Sequence, residues 1–287
     1  MRFQPSELII SDSNRIYHLG ISPEQIGTKI IIVGDQARVP VVSGFFSKII
    51  AKTSNREFSC HTGIYENKII SVVSTGIGTG NIDIVLNELD ALVNIDFQTR
   101  RIKENFTQLE IIRIGTCGIL QDDIPIDSFI LSDFAMGLDN LGHFYQSNQS
   151  QVETILLQNI IQRNNFPKFV QPYLTQSDRS LFTRLNRPDI YTGITVTAPG
   201  FYGPQGRKLR QQLVVENLIE QLSAYSFEGK KFTNLEMECS ALFNLSKNLG
   251  HQFCAICLGL ANRKKKEFSS NYDSKIKELI LHVLSVI

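Results

Sequence analysis

Six short apolar runs rich in β-branched residues recur along the 287-residue chain, separated by longer segments with helical periodicity. A strand buried on both faces reads as a continuous apolar run, and a helix laid over it shows an apolar stripe every three to four residues. The alternation therefore predicts an α/β fold with a covered central sheet. The runs are 29–35 (KIIIVGD), 63–76 (GIYENKIISVVSTG), 109–118 (LEIIRIGTCG), 127–135 (DSFILSDFA), 191–198 (YTGITVTA) and 251–260 (HQFCAICLGL). The second reads as a hairpin turning near Glu66 and Asn67. One domain accommodates this length, and neither a Pro-, Gly- or Ser-rich linker nor an internal repeat divides the chain.

Ile82, Val85, Leu86, Leu89, Leu92 and Val93 form one helical stripe over 81–95, with Asn81 placed to cap it. Met237, Ala241, Leu242, Leu245 and Leu249 predict a helix over 236–249, stopped by Gly250. Segments 152–163 and 273–286 read as helices, and 40–50 and 214–222 carry weaker versions of the pattern. Residues 96–108 read as a helix end plus loop, and the polar stretch 136–150 as a surface excursion.

A net charge of +1 gives no overall field toward nucleic acid or an anionic membrane, so local clusters must carry any anion binding. The N-terminal MRFQPSELIISDSNR lacks a signal-peptide core, and no stretch approaches the ~20 apolar residues of a membrane span. A cytoplasmic protein is expected. The cysteines number five and sit mostly in apolar strings. Cys254 and Cys257 have redox or zinc spacing, but no second Cys/His pair has ligand spacing, so core thiols and no metal are expected.

Three strand ends carry glycine turns next to anion-capable groups: Gly34-Asp35-Gln36-Ala37-Arg38, Ser74-Thr75-Gly76-Ile77-Gly78, and Arg113-Ile114-Gly115-Thr116-Cys117-Gly118. Ligands of open α/β sheets bind at the carboxyl ends of strands, where glycine lets backbone N–H groups approach an anion. Arg113 stands inside an apolar strand and needs a polar or anionic partner, either a ligand or a structural ion pair. Neither a Gly-x-x-x-x-Gly-Lys-Ser/Thr loop nor a Gly-x-Gly-x-x-Gly after a strand occurs, which disfavours nucleotide-triphosphate hydrolysis and dinucleotide binding. Glu236 and Glu238, two apart, do not share a helix face. One is expected to take helix-start N–H groups while the other points elsewhere.

Taken in order, Gly34-Asp35 with Arg38, Ser74 to Gly78, Arg113 to Thr116 with Gly118, and Glu236-Met237-Glu238 resemble the signature blocks of the nucleoside phosphorylase and uridine phosphorylase superfamily, over roughly residues 17–265. The resemblance implies a single three-layer α/β/α domain with a mixed, partly barrel-like sheet. It implies no cofactor, with inorganic phosphate as co-substrate, held by Gly34, Arg38, Arg113 and Thr116, and by Arg56 from a neighbouring subunit. Ribose would meet Thr116, Met237 and Glu238, with His18 of Tyr17-His18-Leu19-Gly20 reaching across the same interface. The partners implied are a small nucleoside, phosphate and further copies of the chain, in dimers or a ring of three dimers.

Base choice follows from two stretches. Phe201 to Arg207 is similar to the uridine phosphorylase segment in which a Phe packs on the base and Gln205 and Arg207 hydrogen-bond uracil, with Gly118 and Glu236 also lining that end. Purine-cleaving relatives place an aspartate where this chain has Asn262 and Arg263. The resemblance thus implies uridine phosphorolysis, with Arg38, Arg113, Thr116, Gln205 and Arg207 carrying the reaction. A purine phosphorylase, a water-using nucleosidase and a non-catalytic nucleoside binder are the alternatives. The chain departs from the pattern at Gln36 for the usual Pro, at Gly203-Pro204 for Pro-Gly, and at Gly206 for an acid.

Overall fold

The computed structural model describes residues 2–287. Along the chain come β1 (Lys29–Val33), α1 (Arg38–Ser43), β2 (Lys48–Asn55), β3 (Phe58–Tyr65), β4 (Lys68–Ser74) and α2 (Thr79–Asn94). The short pair β5 (Ile95–Asp96) and β6 (Arg101–Ile102) precedes β7 (Glu110–Ile119) and β8 (Phe129–Gly137). Then follow α3 (Gln151–Arg163), β9 (Tyr173–Gln176), α4 (Arg179–Leu185), β10 (Tyr191–Thr197), α5 (Leu218–Ala224), β11 (Ser226–Phe227) and β12 (Lys230–Glu236). The chain ends with α6 (Cys239–Leu249), β13 (Gln252–Asn262), β14 (Glu267–Phe268) and α7 (Tyr272–Val286).

The main sheet is mixed and closes on itself at one end. Strand β7 pairs with β13 in parallel and with β12 antiparallel, and the path β12, β10, β8, β13 returns to β7, giving a five-stranded ring. From β7 an open arm continues through β1 and β4 to the β3–β2 edge. Closure leaves the ring without free edges, so its backbone groups are satisfied internally.

Side-chain alternation on the strands separates two helical layers. Ile30, Ile32 and Ile111 pack with α2 and α6 through Leu86, Leu89, Leu242 and Leu245. Ile31, Val33, Ile112, Ile114, Cys254 and Ile256 face the other way, against α1, α4 and α7. A third cluster seats α3 and α5 on the ring, with Phe134, Ile194 and Phe232 at its centre. The expected three-layer α/β/α arrangement with a partly barrel-like sheet is therefore the observed one. No helix among the described residues is long and apolar enough to cross a membrane.

Several boundaries differ from the sequence reading for identifiable reasons. The helix expected over 40–50 is only α1, because Gly44 ends it and the β-branched run that follows forms β2 at the sheet edge. The hairpin turns where expected, at Glu66 and Asn67, both with positive φ, but β3 starts at Phe58 because it also pairs with β2. Asn81 does not cap α2, which begins at Thr79 with Gly78 (φ 98°) as the flanking residue. The helix expected from residue 236 starts at Cys239, because Glu236 is the last residue of β12, the strand that closes the ring. Strands β9 and β12 are absent from the sequence reading, the first being too short and the second paired locally only with the two-residue β11 and otherwise with the distant β10 and β7. The expected loop over 96–108 includes the two-residue strand β6, and the excursion expected from 136 begins inside β8.

Glu153 secures that excursion to the body. Its carboxylate accepts from the Ser150 N–H (2.6 Å), from the Gln176 N–H on β9 (2.8 Å) and from Lys247 on α6 (2.6 and 2.9 Å). Burial alone would raise its pKa, but the Lys247 ammonium and the two backbone donors outweigh that and hold it below the usual value. A depressed carboxyl contributes stability above the unfolded-state pKa, and the contribution fades as pH falls through the folded one. Glu153→Ala should cost about 1.5–3 kcal/mol at pH 7 in denaturant unfolding. The gap from wild type should narrow on acidification below about pH 4.3, the unfolded carboxyl value.

Candidate active site

A cavity of about 660 Å³ opens at the carboxyl ends of β1, β7 and β12. Gly34 and Arg38 reach it from the β1–α1 turn, and Arg113, Thr116 and Gly118 from β7. Glu236, Met237 and Glu238 enter from the β12–α6 junction, and Phe201, Gln205 and Arg207 from the loop after β10. Eleven residues expected from the sequence thus share one chamber. The ring closure makes this meeting: β12 pairs Leu235 with Gly118 and so sets the two glutamates beside β7.

The chamber is organised around Arg113, which is 3% exposed. One arm of its guanidinium bonds Glu238, and the other lies 3.5 Å from Glu236. Glu238 also accepts the Gly78 N–H at 2.7 Å, tying the glycine turn after β4 to the start of α6. Glu236 accepts the N–H groups of Glu238 (2.8 Å) and Cys239 (2.9 and 3.0 Å), together with the Thr197 hydroxyl. One acid therefore caps the helix while the other points elsewhere, as the two-residue spacing required. Arg113 stays charged because Glu238 and Glu236 overcome the opposing effect of burial. Glu236 is pushed up to about 7, chiefly by its own burial, against the pull of Arg113.

The sulfurs of Cys257 and Cys239 lie 3.5 and 3.9 Å from the Arg113 guanidinium. All five cysteines are free and buried, in keeping with core thiols. Gly115 is obligatory beside this cluster: a Cβ there would fall 1.9 Å from Arg113 Nη1 and 2.7 Å from Cys257 Sγ.

Arg38 is held differently. Its Nη1 donates to the Ile114 carbonyl at 3.1 Å, and its Nε and Nη2 both donate to the Tyr272 hydroxyl, at 3.2 and 2.9 Å. None of these partners carries a charge. At the far end, Arg207 donates to Gln205 Oε1 (2.6 Å) and to the Phe201 carbonyl (2.7 Å) while its guanidinium stacks 3.7 Å over the Phe201 ring. Gln205 is 2% exposed, and Arg263 donates to its carbonyl at 3.0 Å. Burial and the neighbouring Arg263 lower the Arg207 pKa to about 10, which leaves it cationic at neutral pH.

His18 and Arg56 do not line the cavity of their own chain. They lie together at its border, where Gln36 and Glu57 of the lining adjoin Arg56: Arg56 (φ 53°) donates to the Tyr17 hydroxyl at 3.0 Å, and Asn55 donates to the His18 carbonyl at 2.8 Å. His18 Nδ1 meets Glu88 at 2.6 Å. Two further residues belong to the site's frame and are not expected from the sequence. Tyr272 lies 234 positions from its partner Arg38 and carries no local signal. Arg263 stands out in the sequence only as occupying the place of an acid.

The comparisons agree with this architecture. Residues 28–287 match the phosphorylase superfamily, and the chain belongs to it. A uridine phosphorylase of Thermococcus kodakarensis is 27% identical over 93% of this chain and 84% of its own. A DeoD-type purine nucleoside phosphorylase of Brevibacillus brevis is also 27% identical, over 80% of this chain and 79% of its own. Among solved structures, a Trypanosoma brucei nucleoside phosphorylase that shows uridine phosphorylase activity superposes with a TM-score of 0.89 at 28% identity, covering 98% of this chain and 100% of that one.

The packing around Arg113 leaves no room for a side chain at position 115. Gly115→Ala should destabilise the chain by about 1–3 kcal/mol through overpacking, measured by equilibrium denaturation.

Proposed function

We propose that the chain is a pyrimidine nucleoside phosphorylase that converts uridine and inorganic phosphate to uracil and ribose 1-phosphate. The observation that carries the reading is the two-ended chamber. At one end Gln205 and Arg207, 2.6 Å apart, present an amide and a guanidinium beside an aromatic ring; at the other stands Arg38, with no acid bonded to it.

Phosphate held by Gly34, Arg38, Arg113 and Thr116 attacks the anomeric carbon as the glycosidic bond breaks. The bonding pair leaves with the base, so positive charge develops on ribose and negative charge on uracil. The chain's task is to place the reactants and to stabilise those charges. Arg207 and the Gln205 amide face the leaving uracil, whose two carbonyls and N–H they can match. Because a cation takes up the developing charge, no side chain need act as a strong acid. A carboxylate has about four acceptor positions, so Glu238 retains capacity for ribose hydroxyls after bonding Arg113 and the Gly78 N–H. Phosphate is the co-substrate, and no cofactor is required.

The purine alternative needs an acid near the end of β13. That place is filled by Asn262, which is buried and fully engaged: its amide donates to the Gln121 and Ile124 carbonyls, and its oxygen accepts from the backbone N–H groups of Lys264 and Lys265. The similarity to purine enzymes keeps inosine as the necessary control. The cluster of Tyr17, His18, Asn55 and Arg56 supports a homo-oligomer in which Arg56 of the partner subunit completes the phosphate end and His18 of the partner subunit meets the ribose.

Chromatography of uridine and inosine incubations, with and without phosphate, tests the reading directly. Uracil should form from uridine only when phosphate is present, with inosine a poor substrate. Release of base without phosphate would identify a nucleosidase, and preferential inosine cleavage a purine enzyme. Binding of uridine with no product would identify a non-catalytic homologue. Arg207→Ala should raise the barrier by about 2.7–4 kcal/mol, a loss of roughly 10²–10³ in kcat, with little change in melting temperature. Wild-type turnover by that variant would remove Arg207 from the base site.

A further inference from the structure

We infer that Tyr272 is the positioning residue that fixes the phosphate-facing orientation of Arg38 while leaving its charge uncancelled, an inference that rests on the phosphorolysis reading above. The contrast between the two buried arginines leads to it. Arg113 is bonded to Glu238 and lies 3.5 Å from Glu236, so an acidic partner opposes its charge before any ligand arrives. Arg38, 7% exposed, bonds only the Ile114 carbonyl and the Tyr272 hydroxyl, both neutral.

A buried guanidinium needs acceptors, and a carboxylate would be the usual supply. It would also cancel the charge that an incoming dianion is to meet. A phenolic oxygen takes donors without that cancellation, because Tyr is neutral well above physiological pH. Here one oxygen takes two N–H groups, Nε at 3.2 Å and Nη2 at 2.9 Å, which defines the guanidinium plane as a single bond would not. The Ile114 carbonyl takes a third donor on Nη1. Of the five guanidinium N–H groups, two remain, one on each terminal nitrogen, the pair suited to a bidentate grip on phosphate oxygens.

Tyr272 is itself held by the fold. It is the first residue of α7, whose Ile276, Leu279 and Ile280 are buried in the same cluster as Val39 and Val42 of α1. The C-terminal helix thereby reaches Arg38 at the start of α1 and braces that side chain from outside the cavity lining.

The test is phosphate binding by calorimetry on the full chain, for wild type, Tyr272→Phe, Arg38→Ala, the double variant and Arg38→Lys. Tyr272→Phe should weaken phosphate on the order of tenfold, the scale of a hydrogen bond to a charged group. Its uridine KM and its melting temperature in phosphate-free buffer should be unchanged. In the Arg38→Ala background, Tyr272→Phe should add nothing, because the two act as one unit. Arg38→Lys keeps a charge but loses the planar fork, and should bind phosphate more weakly than wild type.

An unchanged phosphate Kd in Tyr272→Phe, an equal further loss without Arg38, or wild-type affinity in Arg38→Lys would each overturn the inference. If wild type binds phosphate and Tyr272→Phe binds it equally well, only the role of Tyr272 falls. A wild-type chain that binds no phosphate removes the phosphorolysis reading with it.

Discussion

The buried pairing of Arg113 with Glu238 and Glu236 is the constraint on which the rest of the site depends. Three ionisable groups buried in one chamber are costly unless each is bonded, and the fold bonds each of them from a different direction. Strand β7 supplies the arginine, and the end of β12 and the start of α6 supply the acids. Gly78, after β4, donates to Glu238, so this carboxylate adds a tie between the open arm and the start of α6 to the β1–β7 ladder that already joins arm and ring. Glu236 completes the arrangement by satisfying the first N–H groups of α6, which otherwise would point unpaired into the interior. Closing the ring and building the chamber are the same event, since β12 reaches β7 only where these residues meet.

The same arrangement divides the cations by task. Arg113 is largely neutralised and serves as much to hold the carboxylates in place as to meet a ligand. Arg38 keeps its charge, and its neutral partners come from β7 and α7. Arg207 lies at the opposite end, stacked on Phe201 and close to Arg263, so an electron-rich leaving group there would relieve two neighbouring positive charges. A phosphorolytic reaction needs one cation that binds an anion already present and another that stabilises an anion as it forms. On the reaction proposed above, Arg38 would take the first task and Arg207 the second.

Most of the frame is legible in the sequence because it rests on local pattern. The strands at 29–35, 109–118 and 251–260 are continuous apolar runs, and the stripe from Ile82 to Val93 fits only a helix laid over them. The spacing of Glu236 and Glu238 alone separates their roles. Long-range pairing sets what cannot be read. Only the start of 230–236 has a local partner, the two-residue strand β11 across the Glu228-Gly229 turn; the rest of KKFTNLE gains its β-structure from β10 and β7, and the apparent helix start at 236 borrows periodicity from the turn that follows. Tyr272 is invisible for the same reason: its role exists only where α7 returns to α1. His18 and Arg56 are picked out by motif, and the structure brings them together outside the lining of their own chain's cavity, at its border, an arrangement no periodicity could indicate.

The base loop, where the sequence departs most from the family pattern, is explained by backbone geometry. Gly206 follows the short turn Gly203–Gln205 with φ 67°, and its N–H returns to the Gly203 carbonyl at 2.9 Å. This left-handed step reverses the chain, so that the Arg207 N–H reaches the Tyr202 carbonyl at 2.8 Å and the Arg207 side chain folds back over Phe201. An acid at position 206 would be strained in that conformation, and glycine is not. Pro204, inside the turn, has no N–H to lose there, because Gly206 and Arg207 supply the donors that close it. Glycine at 206 and proline at 204 are therefore both suited to the path this loop takes. They set Gln205 and Arg207 side by side in the lining of the chamber, and the proposed base recognition rests on that placement.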